Sequence, residues 1–337
     1  MLLRFDVCRT VLCALLYLCF AGLPQAAETT DAIIARVNGE PILLSQLKQA
    51  ALDQDVPARS LLGDPLHNPG YRRAITQLID ETLLVQRATA EEVKVEETEI
   101  SREVDGMLKD LQEQFGSSAE LEKYLETHKL TVESLRRILS DRERRRAMAT
   151  RVVLKRVQVD TTGVQDFVKQ RQARGEATEH DNLSQIVLAK PAAGATEAER
   201  NSIQGEALKI VRTATGDPTQ FAALARKHSI DTAGAEVGGY MGWVDPQGLL
   251  PELRGQLAGM KPGDISPPIA TTQGLHILLL HARRDARDLL FSQRFADERN
   301  RLVKEQRQQA NIKLYDLEGN PLQVKAEDLA TSATAER

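Results

Sequence analysis

Ser229-Ile230-Asp231, then Gly238-Gly239-Tyr240-Met241-Gly242-Trp243, then Gly274-Leu275-His276-Ile277-Leu278 are the stretches whose reading decides the fold. Gly238, Gly239 and Gly242 are read as backbone requirements of a strand bounded by tight turns. The apolar run from His276 to Leu280 reads as a second strand, and Ile269 as part of its hairpin partner. Lys261-Pro262-Gly263-Asp264 is a turn. Upstream, Leu183 to Leu188 reads as a strand that ends at Lys190-Pro191. Thr196 to Thr213 carries Ile203, Ala207, Ile210 and Val211 at helical spacing. Asp217 or Thr219 can cap a second helix with Phe221, Leu224 and Ala225 on its buried side. Pro251 to Met260 is a short helix. The resulting order is β-α-α-β-α-β-β, an α+β domain over residues 180–284 with a small, mostly antiparallel sheet.

The flanks are helical. Asp31 to Val37 reads as a short strand, Asn38-Gly39 as a turn, and Ser45 as the cap of a short helix. Residues 55–70 look like a loop. Tyr71, Ile75, Leu78, Ile79, Leu83 and Val85 mark one helix; Ile100, Val104, Met107, Leu111 and Phe115 mark the next, with Gly116 at its end. Ser118 can start a third with Leu121, Tyr124 and Leu125 buried. Thr131 can cap a fourth with Leu135, Ile138 and Leu139 buried. The basic stretch from Arg136 to Arg146 is interrupted by Asp141 and Glu143 and reads as a solvated helix face. A further short helix is expected around Val164–Gln172. After Arg284 a long helix with Leu289, Phe291, Phe295 and Leu302 as apolar marks leads to a last strand at Asn311–Tyr315.

The chain has 337 residues, enough for two domains. Its low aromatic content, 4%, beside 27% charged residues fits long solvent-facing helices and fits a large β-sandwich poorly. A net charge of -4 implies no strong pull toward nucleic acid or a membrane surface. Residues 1–27 read as a signal peptide: Arg4 and Arg9, an apolar run from Val11 to Leu23, then Ala26-Ala27. The run is short for a membrane span, and a retained anchor is the alternative. Cys8, Cys13 and Cys19 all lie in this segment, so thiolate chemistry and disulfides are excluded from the processed chain. His67, His128, His180, His228 and His281 lack metal-ligand spacing, and no glycine-rich phosphate loop occurs. Neither metal nor cofactor is expected, and no ATP site is visible. The expected organisation is signal peptide 1–27, helical domain 28–160, linker helix 161–179, α+β domain 180–284, a helix and strand at 285–325, and a disordered tail at 326–337.

Residues 180–284 resemble a parvulin-type (PpiC-type) peptidyl-prolyl isomerase domain. The motif blocks are Ser229-Ile230-Asp231, Gly238 to Trp243, Pro262-Gly263-Asp264-Ile265-Ser266-Pro267-Pro268 and Gly274 to Leu278. Ala35 to Ile42 and Leu78 to Leu84 are similar to SurA-type periplasmic chaperones, as is the helix-then-strand from Phe295 to Tyr315. SurA usually carries two parvulin domains; this chain carries one. The resemblance implies an N-terminal helical chaperone module completed by the C-terminal helix. It also implies periplasmic location and binding of unfolded or extended proline-containing chains, outer-membrane protein precursors among them.

By position in the resemblance, Met241, Leu249 and Leu253 form a proline pocket, with Gln273 beside it. Asp231 falls next to the turning carbonyl, and Thr271 and His276 in the polar network beneath it. Gln185 stands where active parvulins usually have a histidine, and Leu253 where they often have an aromatic residue. Read from the residues alone, Asp231 serves equally well as a turn or cap, and Trp243 as plain core. Unaided X–Pro isomerisation takes tens to hundreds of seconds because amide resonance must break. No covalent step is needed: about 4 kcal/mol of preferential stabilisation of the twisted amide gives a thousandfold gain. Three readings follow. One is an exported isomerase and chaperone. The second is a parvulin-like holdase without turnover, favoured by Gln185 and Leu253. The third is a dedicated helper of an export or exopolysaccharide system.

Overall fold

The computed structural model describes residues 31–52, 54, 68–192 and 194–322. The expected signal peptide with its cysteines, most of the 55–70 loop and the expected disordered tail lie outside the described residues. The fold is α+β, and the chain divides into two compact units: Met1–Val157 with Phe295–Arg337, and Gln158–Arg294.

In the first unit, β1 (Ile33–Val37) and β2 (Glu40–Leu43) form a hairpin across Asn38-Gly39, both with positive φ. The C-terminal strand β7 (Ile312–Leu314) pairs antiparallel with β1, giving the order β2-β1-β7. Helix α1 (Leu44–Leu52) follows; its first turn is capped by Asp31, whose carboxylate accepts from Ser45 N at 3.1 Å and from the Ser45 hydroxyl. Ser45 is thus a donor to the cap, not the cap itself. Helix α2 (Pro69–Ala90) starts at Asn68, whose side chain accepts from Gly70 N and Tyr71 N. Its apolar stripe of Tyr71, Ile75, Ile79 and Leu83 packs with Val37, Leu47 and Leu314 around the small sheet.

Helices α3 (Glu97–Phe115), α4 (Ser118–Thr127) and α5 (Val132–Leu154) share a second core of Ile100, Val104, Leu111, Leu121, Leu135 and Leu139. Gly116 ends α3 at φ 84°, Ser117 caps α4, and Thr131 with Ser134 forms a reciprocal cap on α5. Ile138, expected buried, is 52% exposed. It precedes Leu139 on the helix and so faces away from the side that packs. Arg136, Arg137 and Arg146 of the basic stretch are exposed as expected, while several arginines of the stretch pair with neighbouring acids. Arg136 bonds Asp105, Arg144 bonds Glu97 and Asp141, and Arg145 bonds Glu40 at 2.7 Å and Thr82. Helix α6 (Thr161–Ala173), capped by Asp160, belongs to the second unit.

The second unit's sheet has the order β4-β3-β6-β5, all antiparallel: β3 (His180–Leu188), β4 (Tyr240–Val244), β5 (Ile269–Ala270) and β6 (Leu275–Arg284). One face of β3 and β6 offers Ile186, Leu188, Leu275, Ile277 and Leu279. These pack under α7 (Glu197–Gly216) and α8 (Phe221–His228) through Ala207, Ile210, Phe221 and Ala225. The opposite face offers Leu183, Leu278 and Leu280, which pack with Leu253, Leu257 and Met260 from α10 (Pro251–Leu257) and the turn after it. The one-turn helix α9 (Thr232–Glu236) lies between α8 and β4.

The last helix, α11, spans Ala286–Gln309. In the first unit Leu302 and Val303 pack with Leu84, Val85, Ala88, Val152 and Val153, and Arg307 pairs with Asp80 at 2.6 Å. The C-terminal helix therefore completes the helical module. Phe291, expected on its buried side, is 40% exposed, while Leu290 is buried. Among the described residues no helix is long and apolar enough to cross a membrane.

Candidate functional site

The α10-covered face of the β4-β3-β6-β5 sheet gathers most of the candidate residues. Strand side chains alternate between faces. Gln185 therefore shares the face of Leu183, and His276 that of Leu278 and Leu280. Gln185 and His276 meet there, with His276 Nδ1 3.3 Å from Gln185 Oε1. An amide oxygen only accepts, so this contact places the proton on Nδ1 and leaves Nε2 as a bare acceptor. His276 is 2% exposed, and its Nε2 has no hydrogen-bond partner. Burial pushes the imidazole pKa below its ordinary value, keeping the ring neutral.

Met241, Leu249 and Leu253 belong to the same apolar cluster on that face. Leu253 is 4% exposed and acts as floor, whereas Met241 and Leu249 are half-buried and keep exposed surface. A ring seated against them would trade water for carbon contact, worth about 25 cal/mol per Å².

The loop from Ser229 to Gly239 is fastened to the edge of β3. Ser229 Oγ accepts from Val187 N at 3.1 Å, and Ile230 N donates to Val187 O at 2.7 Å. Val187 is the register partner of His276, so Asp231 is tethered one residue beyond a strand position beside the ring. Its carboxylate caps α9, accepting from Gly234 N at 3.0 Å. Gly239 has φ +79°, and a Cβ there would stand 2.3 Å from Gln185 O; Gln185 N donates to Gly239 O at 2.8 Å. That glycine thus sets how closely the β4 entry approaches the Gln185 backbone.

Thr271 and Gln273 lie in the turn between β5 and β6. Thr271 Oγ1 accepts from Gln273 N at 3.0 Å and Gly274 N at 3.3 Å, so the hydroxyl holds the turn that delivers His276. The Gln273 side chain is exposed. The structure therefore brings Gln185, His276, Met241, Leu249 and Leu253 together, and sets Asp231, Thr271 and Gln273 in the flanking loops.

Trp243, expected in the core, is half-exposed, and the Arg284 guanidinium stacks over its ring at 3.9 Å from the centroid. Other contributors escaped the sequence reading. Asp181 is fully buried and pairs with Arg283 through two bonds of 2.7 and 2.9 Å. Arg283 also donates to Leu257 O and Met260 O, fixing the end of α10 and with it the floor at Leu253. The pair sits in register across β3 and β6, a signal visible only once strand pairing is known. On the other face, Ser184 Oγ lies 2.8 Å from His281 Nε2, and Asn182 donates to the Tyr240 hydroxyl at 3.2 Å.

Comparison with known proteins gives two family matches. Residues 186–282 match the PPIC-type PPIASE domain, and residues 6–149 match the SurA-like N-terminal domain. The chaperone SurA of Pseudoalteromonas atlantica is 32% identical over 148 residues, 41% of this chain and 34% of that one. The chaperone SurA of Hahella chejuensis is 26% identical over 264 residues, 76% of this chain and 58% of that one. The chain thus spans between 34% and 58% of the length of these two relatives. A crystal structure of a PpiC-type peptidyl-prolyl cis-trans isomerase domain is 33% identical, covers 32% of this chain and 94% of that one, and superposes with a TM-score of 0.28.

Proposed function

We propose, for a chain that joins a SurA-like N-terminal domain to a PpiC-type isomerase domain, that it catalyses cis–trans isomerisation of X–Pro bonds and holds unfolded polypeptide without ATP. Its expected place of work is the periplasm, and its expected clients are exported proteins, outer-membrane precursors among them. The observation that carries this reading is the buried, partnerless Nε2 of His276 on the same sheet face as Met241, Leu249 and Leu253.

The proposed roles are as follows. Met241 and Leu249 take the prolyl ring over the Leu253 floor. In the planar amide, the nitrogen lone pair is delocalised into the carbonyl; in the twisted form it is localised. Neutral His276, fixed by Gln185, presents a dipole of constant orientation at that twist, with no reorganisation needed during the turn. Asp231 adds negative charge at the edge where the carbonyl swings, and Thr271 holds the turn that positions His276. Gln273 meets the flanking chain from the rim. The proposed division of labour gives catalysis to residues 180–284 and client retention to the helical module, residues 28–160 with 285–325.

The test pairs two assays on the purified chain: cis–trans exchange of a short proline peptide, and suppression of aggregation of an unfolded client. Activity in both is expected. Suppression without exchange would reduce the second unit to a peptide-binding module.

A further inference from the structure

The first unit contains a cavity of 140 Å³ between α2, α5 and α11. Leu84, Ala149 and Phe295 give it apolar walls, and Glu81, Arg146 and Arg299 give it charge. An apolar cavity of about 150 Å³ accommodates benzene, so the space suits one side-chain-sized group and no stretch of backbone.

The two arginines have donors to spare. Arg146 and Arg299 reach their nearest carboxylates, Glu143 and Asp80, at 3.9 and 4.0 Å among the described residues. Their neighbours sit closer to carboxylates: Arg145 holds Glu40 at 2.7 Å, and Arg307 holds Asp80 at 2.6 Å. The Arg146 and Arg299 side chains are 49% and 35% exposed. Glu143 faces Arg146 through Oε2 at 3.9 Å, beyond hydrogen-bond reach, while its Oε1 is buried without a hydrogen-bond partner. Burial raises the Glu81 carboxyl pKa against the pull of Arg145, Arg142 and Arg146.

We propose that this cavity binds a single apolar group joined to a carboxylate, the group against Leu84, Ala149 and Phe295 and the carboxylate on Arg146 and Arg299. Guanidinium forks suit carboxylate oxygens. Two sources offer this chemistry: the C-terminal residue of a polypeptide, and a small free arylalkanoic acid. The site lies in the unit without the prolyl slot and does not depend on isomerase turnover.

Calorimetric titration of the full chain tests it, with acetyl-Gly-Gly-Phe as free acid, the same peptide as C-terminal amide, and 3-phenylpropanoate. Saturable binding of the free-acid peptide with the amide at least about tenfold weaker is expected, since a charge-assisted contact is lost. Arg146→Gln and Arg299→Gln should each weaken acid binding about tenfold, with proline-peptide exchange unchanged as a check on folding. Ala149→Leu fills the cavity and should remove binding. Binding of both acids, or of the peptide acid alone, assigns the site to chain termini; binding of 3-phenylpropanoate alone assigns it to small acids. Equal affinity for acid and amide, binding indifferent to both arginine substitutions, or no binding of either acid would overturn the proposal.

Discussion

His276 Nδ1 faces Gln185 Oε1 at 3.3 Å across β3 and β6, and the opposite ring nitrogen is buried without a partner. Glutamine at this position fixes the imidazole without being able to titrate. One ring nitrogen is spent on orientation and the other is buried without a partner.

Replacing Gln185 by leucine keeps side-chain bulk but removes the acceptor. The ring then loses its tautomer and orientation, and a buried donor is stranded at a cost of about 1–3 kcal/mol. Exchange of a proline peptide should slow several-fold while Gln185→His retains most activity. His276→Ala should slow exchange further and leave client retention intact. Parallel exchange and light-scattering assays check both outcomes.

Asp231 caps α9, and the proposed site gives it a second, separable duty as a charge beside the slot. Asp231→Asn keeps the cap and removes the charge; it should lower exchange with little change in melting temperature. Asp231→Ala loses both and should also cost about 1 kcal/mol of stability. If asparagine behaves as wild type in exchange, the residue is only a cap.

Burial lowers the His276 pKa below the ordinary imidazole value of about 6.5. The unfolded chain therefore binds this proton more readily than the folded one. The sign follows: stability is fully present above the unfolded value and is lost as pH falls through the window between the unfolded and folded values. The stability difference between wild type and His276→Gln should shrink below about pH 6.5. Denaturant titrations of the two proteins across pH 5–8 measure it; a difference independent of pH would contradict a neutral buried imidazole.

Gly239→Ala should be among the costlier single changes in this unit. Its left-handed backbone alone penalises a side chain by about 1–2 kcal/mol, and the new Cβ would meet Gln185 O at 2.3 Å. Because Gln185 must yield, exchange should fall together with thermal stability, whereas Gly248→Ala, with open space around it, should leave exchange intact.

Local signals in the chain carried most of the architecture. Asn38-Gly39 does form a hairpin turn, Thr131 does cap α5, and the glycines around Tyr240 do take positive φ. Each depends on neighbours within a few residues. Side chains whose environment is set by distant chain segments were not legible. Asp181 and Arg283 lie 102 positions apart and meet only through strand register. Trp243 looked like core by residue type, yet it lies half-exposed under Arg284. The basic stretch of α5 read as solvated, and Arg136, Arg137 and Arg146 are exposed, but Arg145 is drawn against Glu40 and Thr82 from distant segments. At the candidate site, periodicity placed Gln185 and His276 on strands, but their contact needed the pairing of β3 with β6.

The most direct measurement is the cis–trans exchange rate of a short X–Pro peptide by NMR in the presence of catalytic amounts of the chain, set beside His276→Ala. Acceleration well above the spontaneous rate, largely lost in the variant, is the predicted result. A rate equal to the uncatalysed one, or an acceleration untouched by His276→Ala, would contradict the assignment of isomerase chemistry to this sheet face.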